Sequence, residues 1–415
     1  MRTWASYLSA ALMGLAAAYL FSGSAGMLEV MEAAYSFLVN LGLCLSLLVL
    51  PFTFTAGIAS LGRYNEGRKV FSSCLLWTIV TSLALSLLSA PVFYFLPVSF
   101  PVTGTSSLAP GTLDTTVTRM LSNAGSALSM RNPVWTACTT LGFLPPLLLV
   151  LLAVGIAAVP KSDVIRPAYT VLNSLSEVMH RVSRTYAVFG FILVFFSSSV
   201  FFLGLSTDGT LLANLWFTSV LSLSAFAALI VVLPLLFALF TGFRRNPYKI
   251  LLRSLPALLS GLFSSNSAAA IAVEEALCRN SIGTQKKVSS VSVPFLTVIG
   301  KGGTAFISSL AVLSIISATT GSMLDTTSLL LVSLASFASS FLSTAAAGAE
   351  PALVTVLVLR ILGVELYGAE NALVALLPFI TGLGLLIDSY ITMLGTVLAA
   401  HRLGAVYELG YEDIL

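Results

Sequence analysis

The sequence predicts an all-α integral membrane protein with eight transmembrane helices and two re-entrant helical hairpins. Three observations predict it. First, the 415-residue chain is 57% hydrophobic and only 9% charged, with mean hydropathy +0.99, whereas a soluble domain carries about 25% charged residues. Second, its apolar runs recur at the roughly 20-residue length that a spanning helix needs. Third, the later runs are short, broken or filled with small residues. Irregular backbone at membrane depth survives only where protein or a water-filled cavity satisfies it.

Taken in order, 4–25, 34–61, 70–95, 134–160, 185–205 and 212–242 are spanning candidates. The first also mimics a signal peptide, with Arg2 ahead of it and Ser22-Gly23-Ser24-Ala25-Gly26 behind, but Trp4 to Phe21 is long enough to span. Residues 96–132 are polar and Ser/Thr/Gly-rich and read as a loop on the outside. After 242 the pattern changes. Segment 255–273 is short and rich in Ser and Ala, segment 288–319 is broken at Gly300 to Gly303, and segment 327–359 is too long for one span and has the small-residue centre Ser343 to Ala349. Segment 371–400 closes the membrane part. Such interruptions mark re-entrant hairpins and broken helices, which line the substrate site of secondary transporters.

Charge placement tests this layout, because cytoplasmic loops carry an excess of Lys and Arg. If both hairpins return to the side they left, most of the 20 basic residues fall on one side: Arg2; Arg63, Arg68 and Lys69; Lys161, Arg166, Arg181 and Arg184; Arg244, Arg245, Lys249 and Arg253; Arg279, Lys286 and Lys287; and Arg402. The other side holds Arg119, Arg131 and Arg360. Both termini are therefore expected in the cytoplasm.

Composition also excludes functions. A net charge of +3 with no long basic run offers nothing to nucleic acid. Cys44, Cys74, Cys138 and Cys278 lie in or beside apolar segments at no metal or redox spacing and read as thiols packed as small hydrophobes. His180 and His401 are too few for a histidine metal cluster. The Gly300-Lys301-Gly302-Gly303 run lacks the spacing and the Ser/Thr of a phosphate-cradling loop. No nucleophile or histidine base accompanies the deep carboxyls, so an enzyme is not expected. Glu274-Glu275 and Lys286-Lys287 read as a solvated cytoplasmic loop.

Lys301 is the exception to an uncharged interior. It lies between long apolar runs, and only Glu350 and Asp388 look similarly deep. Ionisable residues inside a membrane are costly and are functional-site hypotheses by default.

At these residues the chain resembles the dicarboxylate/amino acid:cation symporters, which include the glutamate transporters. Arg245-Asn246-Pro247-Tyr248-Lys249 and Leu255-Pro256-Ala257-Leu258 are similar to that family's entry to its first hairpin. Asn266-Ser267-Ala268-Ala269-Ala270-Ile271 stands at its serine-rich tip. Gly300-Lys301-Gly302-Gly303-Thr304-Ala305 stands where the family has Asn-Met-Asp-Gly-Thr-Ala. Ser343 to Pro351 replaces the tip of the second hairpin, and Leu386-Ile387-Asp388-Ser389-Tyr390-Ile391-Thr392 replaces Leu-Asp-x-x-Arg-Thr on the last helix. Upstream, Leu50-Pro51-Phe52 with Gly57 and Leu61-Gly62 resembles the second helix.

The resemblance implies a glutamate-transporter-like elevator fold in a homotrimer, embedded in the lipid bilayer of a bacterial inner membrane. Scaffold helices would occupy 1–69 and 134–205. The moving part would comprise helix 3 (70–95), helix 6 (206–254), the first hairpin (255–287), the broken seventh helix (288–319), the second hairpin (327–370) and the last helix with the tail (371–415). It also implies a substrate site at Asn266, Ser267, Ala347, Gly348, Ala349, Asp388, Ile391 and Thr392. Backbone N–H groups and helix N-termini at the hairpin tips would hold the substrate α-carboxylate, and Asp388 and Thr392 would hold its amino group.

The departures are coherent. The family binds sodium through oxygens of the broken helix and the last helix. Here its Asn and Asp on the broken helix are Gly300 and Gly302, and its Met, whose sulfur approaches sodium, is Lys301. Its last-helix Asn and Asp are Gly395 and Ala399. Asp388, Thr392, Gly395 and Ala399 share one helical face, which has therefore lost its side-chain oxygens beyond Thr392. Lys301 is expected to replace a bound cation and to pair with Asp388 or Glu350, with Thr304 and Gly395 completing the ion-coupling region. Transport would be sodium-independent, with no cofactor and sodium binding doubtful. A lysine that merely snorkels into a water cavity is the plain alternative.

Glu350 is a candidate proton carrier, since burial favours a neutral carboxyl and a nearby ammonium the ionised one. The alternative is a solvated charge facing outside water at the gate. The family's Arg, which clamps an acidic substrate side chain, corresponds to Ile391, so a neutral small amino acid fits the pocket better, although family membership pulls toward glutamate, aspartate or another dicarboxylate. A conventional sodium- or proton-coupled symporter and a non-transporting solute-binding protein or pore remain the other readings.

Overall fold

A computed structural model of the chain describes residues 3–21, 25–101, 144–207, 214–321, 324–346, 348–364 and 370–407. Among these residues the fold is all-helical, with one isolated antiparallel bridge between Thr284 and Val406. The 96–132 loop lies outside the described residues from 102 onward.

The first helices are α1 (Thr3–Phe21), α2 (Ala25–Arg63), α3 (Gly67–Phe95), α4 (Leu144–Ala157) and α5 (Arg166–Thr207). Helix α5 starts well before the apolar run at 185. Helix α6 (Leu215–Thr241) contains a π-turn at Ala228–Val232, just before Pro234, where the missing proline N–H breaks the regular ladder. Among the described residues seven helices are long and apolar enough to cross a membrane.

The first hairpin pairs α7 (Pro247–Ser264) with α8 (Ser267–Leu277). Its first helix begins at Pro247 because Asn246 caps it, accepting from the Tyr248 N–H at 2.9 Å, with proline at the first helical position. The apolar signal at 255 therefore lies inside the helix. The chain turns at Ser265, which takes a left-handed conformation (φ +50°). Asn266 then opens α8 by accepting from the N–H groups of Ala268 and Ala269 at 3.0 and 3.3 Å. After a π-turn at Cys278–Ile282 the chain enters α9 (Lys286–Ile299), breaks, and resumes as α10 (Gly302–Thr320). The second hairpin is α11 (Thr326–Ser340), a short 3-10 turn (Ser343–Ala346) and α12 (Glu350–Ile361), and the last helix is α13 (Glu370–Arg402).

The centre of the molecule is the broken helix and the last helix. An apolar 18-residue stretch within Lys286–Thr320 is 83% buried and one within Ala372–Arg402 72%, against 33% for one within Thr3–Phe21. Helices α9 and α10 pack on α13, α10 also packs on α3, and hairpin 1 packs on both α5 and α13. Lipid gives no hydrophobic force between helices, so small residues and buried hydroxyls hold them together. The Gly303 backbone lies against the Gly384 carbonyl, with no room for a Cβ. Ser89 on α3 meets Ser309 on α10 at 2.6 Å and Ser333 on α11 at 3.1 Å.

Two expectations need correction. Glu274 and Glu275 do not lie in a solvated loop. Both are about 1% exposed inside α8, because the helix continues through them and its whole surface is covered. Lys286 and Lys287 are half-buried in ion pairs: Lys286 with Glu177 at 3.4 Å and Lys287 with Glu66 at 2.6 Å. Of the cysteines, Cys74 and Cys278 are buried free thiols and Cys44 is exposed on α2, whereas Cys138 lies outside the described residues.

Candidate functional site

Three interruptions of helix meet at one point: the tip of hairpin 1, the tip of hairpin 2, and the break between α9 and α10. Lys301 sits in the break. Its Nζ lies 3.7 Å from Glu350 Oε1, and the two side chains are 1% and 0% exposed. Among the described residues the ammonium has no hydrogen-bond partner. Of the two carboxylates expected to pair with it, Glu350 makes the contact.

Glu350 is the first residue of α12, where a negative charge is stabilised by the helix dipole. It joins all three interruptions. Ser267 Oγ of hairpin 1 donates to Glu350 Oε1 at 2.8 Å, and the Gly348 N–H of hairpin 2 donates to Oε2 at 2.9 Å. Gly348 can present that N–H because it adopts φ +89°, a region that costs other residues energy. Glu350 is therefore not a solvated charge at an outer gate. The closed hairpin tips bury it completely, and its pairing and hydrogen bonds make that burial tolerable. Lys301 likewise does not snorkel to water.

Asp388 is placed on α13 opposite the start of α10. It accepts from the Gly303 N–H at 2.6 Å, from the Thr304 N–H at 3.3 Å and from Thr304 Oγ1 at 2.6 Å. The carboxylate thus caps a helix whose own N-cap position, Lys301, has no capping side chain. Its partners are protein groups, which satisfy it without a substrate ammonium. Thr304 serves as Asp388's donor. Thr392 is buried one turn further along α13.

The remaining expected residues have structural placements. Asn266 caps α8. Ala349 is the N-cap residue of α12 and is buried. Ala347 lies outside the described residues. Ile391 is fully buried and packs into the break: a Cβ at Gly302 would lie 2.8 Å from Ile391 Cδ1 and 3.2 Å from Ser82 Cα. The losses at 300 and 302 and the isoleucine at 391 are thus one steric arrangement.

Sequence reasoning missed Trp77. Its indole Nε1 donates to the Ile391 carbonyl at 2.9 Å, and a Cβ at Gly395 would lie 2.5 Å from Trp77 Cδ1. The signal was indirect: glycines at 302 and 395 vacate volume that a dense interior must refill. It also missed the buried Glu274 and Glu275, whose spacing after Ser267 puts them on the inner helix of a hairpin rather than in a loop. Among the described residues no group of His, Cys, Asp and Glu has the geometry to hold a metal ion.

In comparison with known families, the model described as Sodium:dicarboxylate symporter family matches residues 4–400. No curated protein matches the chain.

Proposed function

This chain belongs to the sodium:dicarboxylate symporter family, and on that premise we propose that it is a secondary active transporter of a small amino acid that works without sodium, with Lys301 as its built-in cation. The observation that carries this reading is the buried Lys301–Glu350 pair at 3.7 Å, at the junction of both hairpin tips and the helix break. A bound cation in that region would neutralise a buried carboxylate and hold the hairpins shut. The ammonium does both through one side chain, which is part of the chain and need not be bound anew in each cycle. The space around Gly302 and Gly395, filled by Ile391 and Trp77, supports the same reading, since hard cations need several oxygen ligands.

The substrate class follows from what is free to bind. Ile391 offers no bidentate partner to an acidic side chain, and Lys301 is engaged by Glu350. A neutral side chain is therefore favoured. Glu350 now occupies the hairpin-tip donors Ser267 and Gly348. A substrate α-carboxylate arriving at the tips takes over those donors and leaves Glu350 to Lys301. The amino group is then received by Thr392 and by the acceptor position of Asp388 that its Gly303 and Thr304 donors leave open.

The motion is an elevator slide of the hairpins, α3, α6, α9, α10 and α13 against α1, α2, α4 and α5, in a homotrimer with both termini cytoplasmic. The pairs Glu66–Lys287 and Glu177–Arg279, at 2.6 and 3.0 Å, cross that division and are remade in each cycle. Counterflow in proteoliposomes with a panel of radiolabelled amino acids and dicarboxylates tests the reading. Saturable counterflow of a neutral amino acid is expected, whereas non-saturating flux with conductance would make the protein a pore.

A further inference from the structure

We propose that Glu274 and Glu275, on the inner helix of hairpin 1, are held as neutral carboxylic acids and are the proton-carrying groups of the transport cycle. The second half of this statement rests on the carrier reading above; the first does not.

Hydrogen accounting supports it. Glu274 Oε2 lies 3.1 Å from Thr297 Oγ1, and Glu275 Oε2 lies 3.2 Å from Thr53 Oγ1. Each threonine hydroxyl also faces the carbonyl one turn back: Val293 for Thr297 at 2.8 Å, and Val49 for Thr53 at 3.0 Å. A hydroxyl has one hydrogen to give. In both cases the carbonyl is the nearer acceptor, and it can only accept. The threonine hydrogen goes there, as is common for threonine in helices. The contact that remains needs its hydrogen from the carboxyl. Glu275 completes the pattern of a neutral acid, because its other oxygen, Oε1, accepts from Ser290 Oγ at 3.0 Å.

Asp388 and Glu350 are built the other way. Their partners include backbone N–H groups, which can only donate, and Thr304 and Ser267 spend their hydroxyl hydrogens on the carboxylates. The same interior thus sorts four buried carboxyls into two that only accept and two that donate.

The surroundings allow a proton to be held and released. Glu274 and Glu275 are about 1% exposed, and neither forms an ion pair among the described residues. The charged groups facing Glu274 are Lys301 and Asp388, with Ser389 also against it; those facing Glu275 are Arg279 and Lys286; Cys278 adjoins both. Thr53 belongs to α2 and Glu275 to hairpin 1, so sliding the hairpin along α2 separates the acid from its acceptor. Beside the hairpin's exit lies a cavity of about 590 Å³ lined by Tyr64, Arg279, Lys286 and Lys287. After that separation the Glu275 O–H bond breaks, the proton passes to water, and the carboxylate stays beside Arg279 and Lys286, which travel with the hairpin.

Infrared spectroscopy of the purified full chain in H2O and D2O is the direct test. The expected result is a carbonyl-stretch band of protonated carboxyls at neutral pH that shifts in D2O and loses part of its intensity in Glu274→Gln and in Glu275→Gln. A wild-type protein without such a band overturns the proposal, as does a band that neither substitution changes. If the glutamine variants fail to fold, Thr297→Val and Thr53→Val serve instead: removing each acceptor must shift the band, and an unshifted band counts against the assignment. A second arm reads coupling. Uptake by wild-type proteoliposomes should accelerate several-fold under an inward proton gradient, and uptake by the Glu274→Gln/Glu275→Gln variant should not respond. Bands present with gradient-insensitive wild-type uptake would overturn the coupling role, whereas bands present with no uptake at all would count against the carrier reading alone.

Discussion

Trp77 on α3 donates its indole N–H to the backbone carbonyl of Ile391 on α13 at 2.9 Å, and its ring takes the space beside Gly395. Phe237 and Phe240 of α6 meet that ring edge-on, at 6.2 and 5.7 Å between centroids. The indole therefore closes one wall of the helix break in which Lys301 lies. Where the resembling family has an oxygen-bearing side chain on the last helix, this chain has an aromatic wall.

Removing that wall should be costly in a way that separates packing from hydrogen bonding. Trp77→Ala leaves a cavity against Leu296, Ile391 and Phe237 and is expected to cost about 3–5 kcal/mol. Trp77→Phe keeps most of the volume and loses the donor, at about 1 kcal/mol. Thermal unfolding in detergent checks the ranking; equal losses for both variants would contradict it.

Restoring the family's oxygen ligands should not create a sodium site. Gly302→Asp drives a side chain into Ile391 and the α3 backbone, and Gly395→Asn drives one into Trp77. Each overpacks the interior, with an expected cost of about 1–3 kcal/mol. A thermal-shift titration with sodium should show no stabilisation of either variant.

Breaking the buried ion pair from one side should be worse than removing it. Lys301→Met strands Glu350 in the interior, at an expected cost of about 3–5 kcal/mol. Adding Glu350→Gln to that variant should recover much of the loss, which a double-mutant cycle measures. A pair of purely additive losses would show that the two side chains do not act together.

The hairpin tips should respond to small backbone changes. Asn266→Ala removes the cap of α8 and is expected to cost about 1 kcal/mol. Gly348→Ala forces a side chain into φ +89° at about 1–2 kcal/mol, and it disturbs the N–H that Glu350 accepts. Proteolysis of the tips, compared with wild type, reads both.

Much of this architecture was legible in the sequence. Apolar run lengths pointed to the seven helices among the described residues that are long and apolar enough to cross a membrane, and Gly300 to Gly303 marked the break because no regular span tolerates that composition. Asn246-Pro247 is a helix start readable from two residues, yet the apolar pattern alone pointed to 255. Lys301 stood out because charge is scarce at depth. What the sequence hid was tertiary. It could not say whether Lys301 meets Asp388 or Glu350, since both are deep and neither is near it in the chain. Glu274 and Glu275 looked solvated because two adjacent acids usually are; only the packing of α8 against α2, α5 and α9 buries them. Trp77 was invisible because its partner is 314 residues away.

If Lys301 stands in for a bound cation, substrate counterflow is indifferent to sodium, and a sodium titration of counterflow reads this. With wild-type protein in sodium-free buffer, saturable counterflow should already be at its full rate, and added sodium should leave rate and apparent affinity unchanged. A steep rise in counterflow with sodium would mean that Lys301 does not replace the ion and that oxygen ligands for it are supplied elsewhere in the fold.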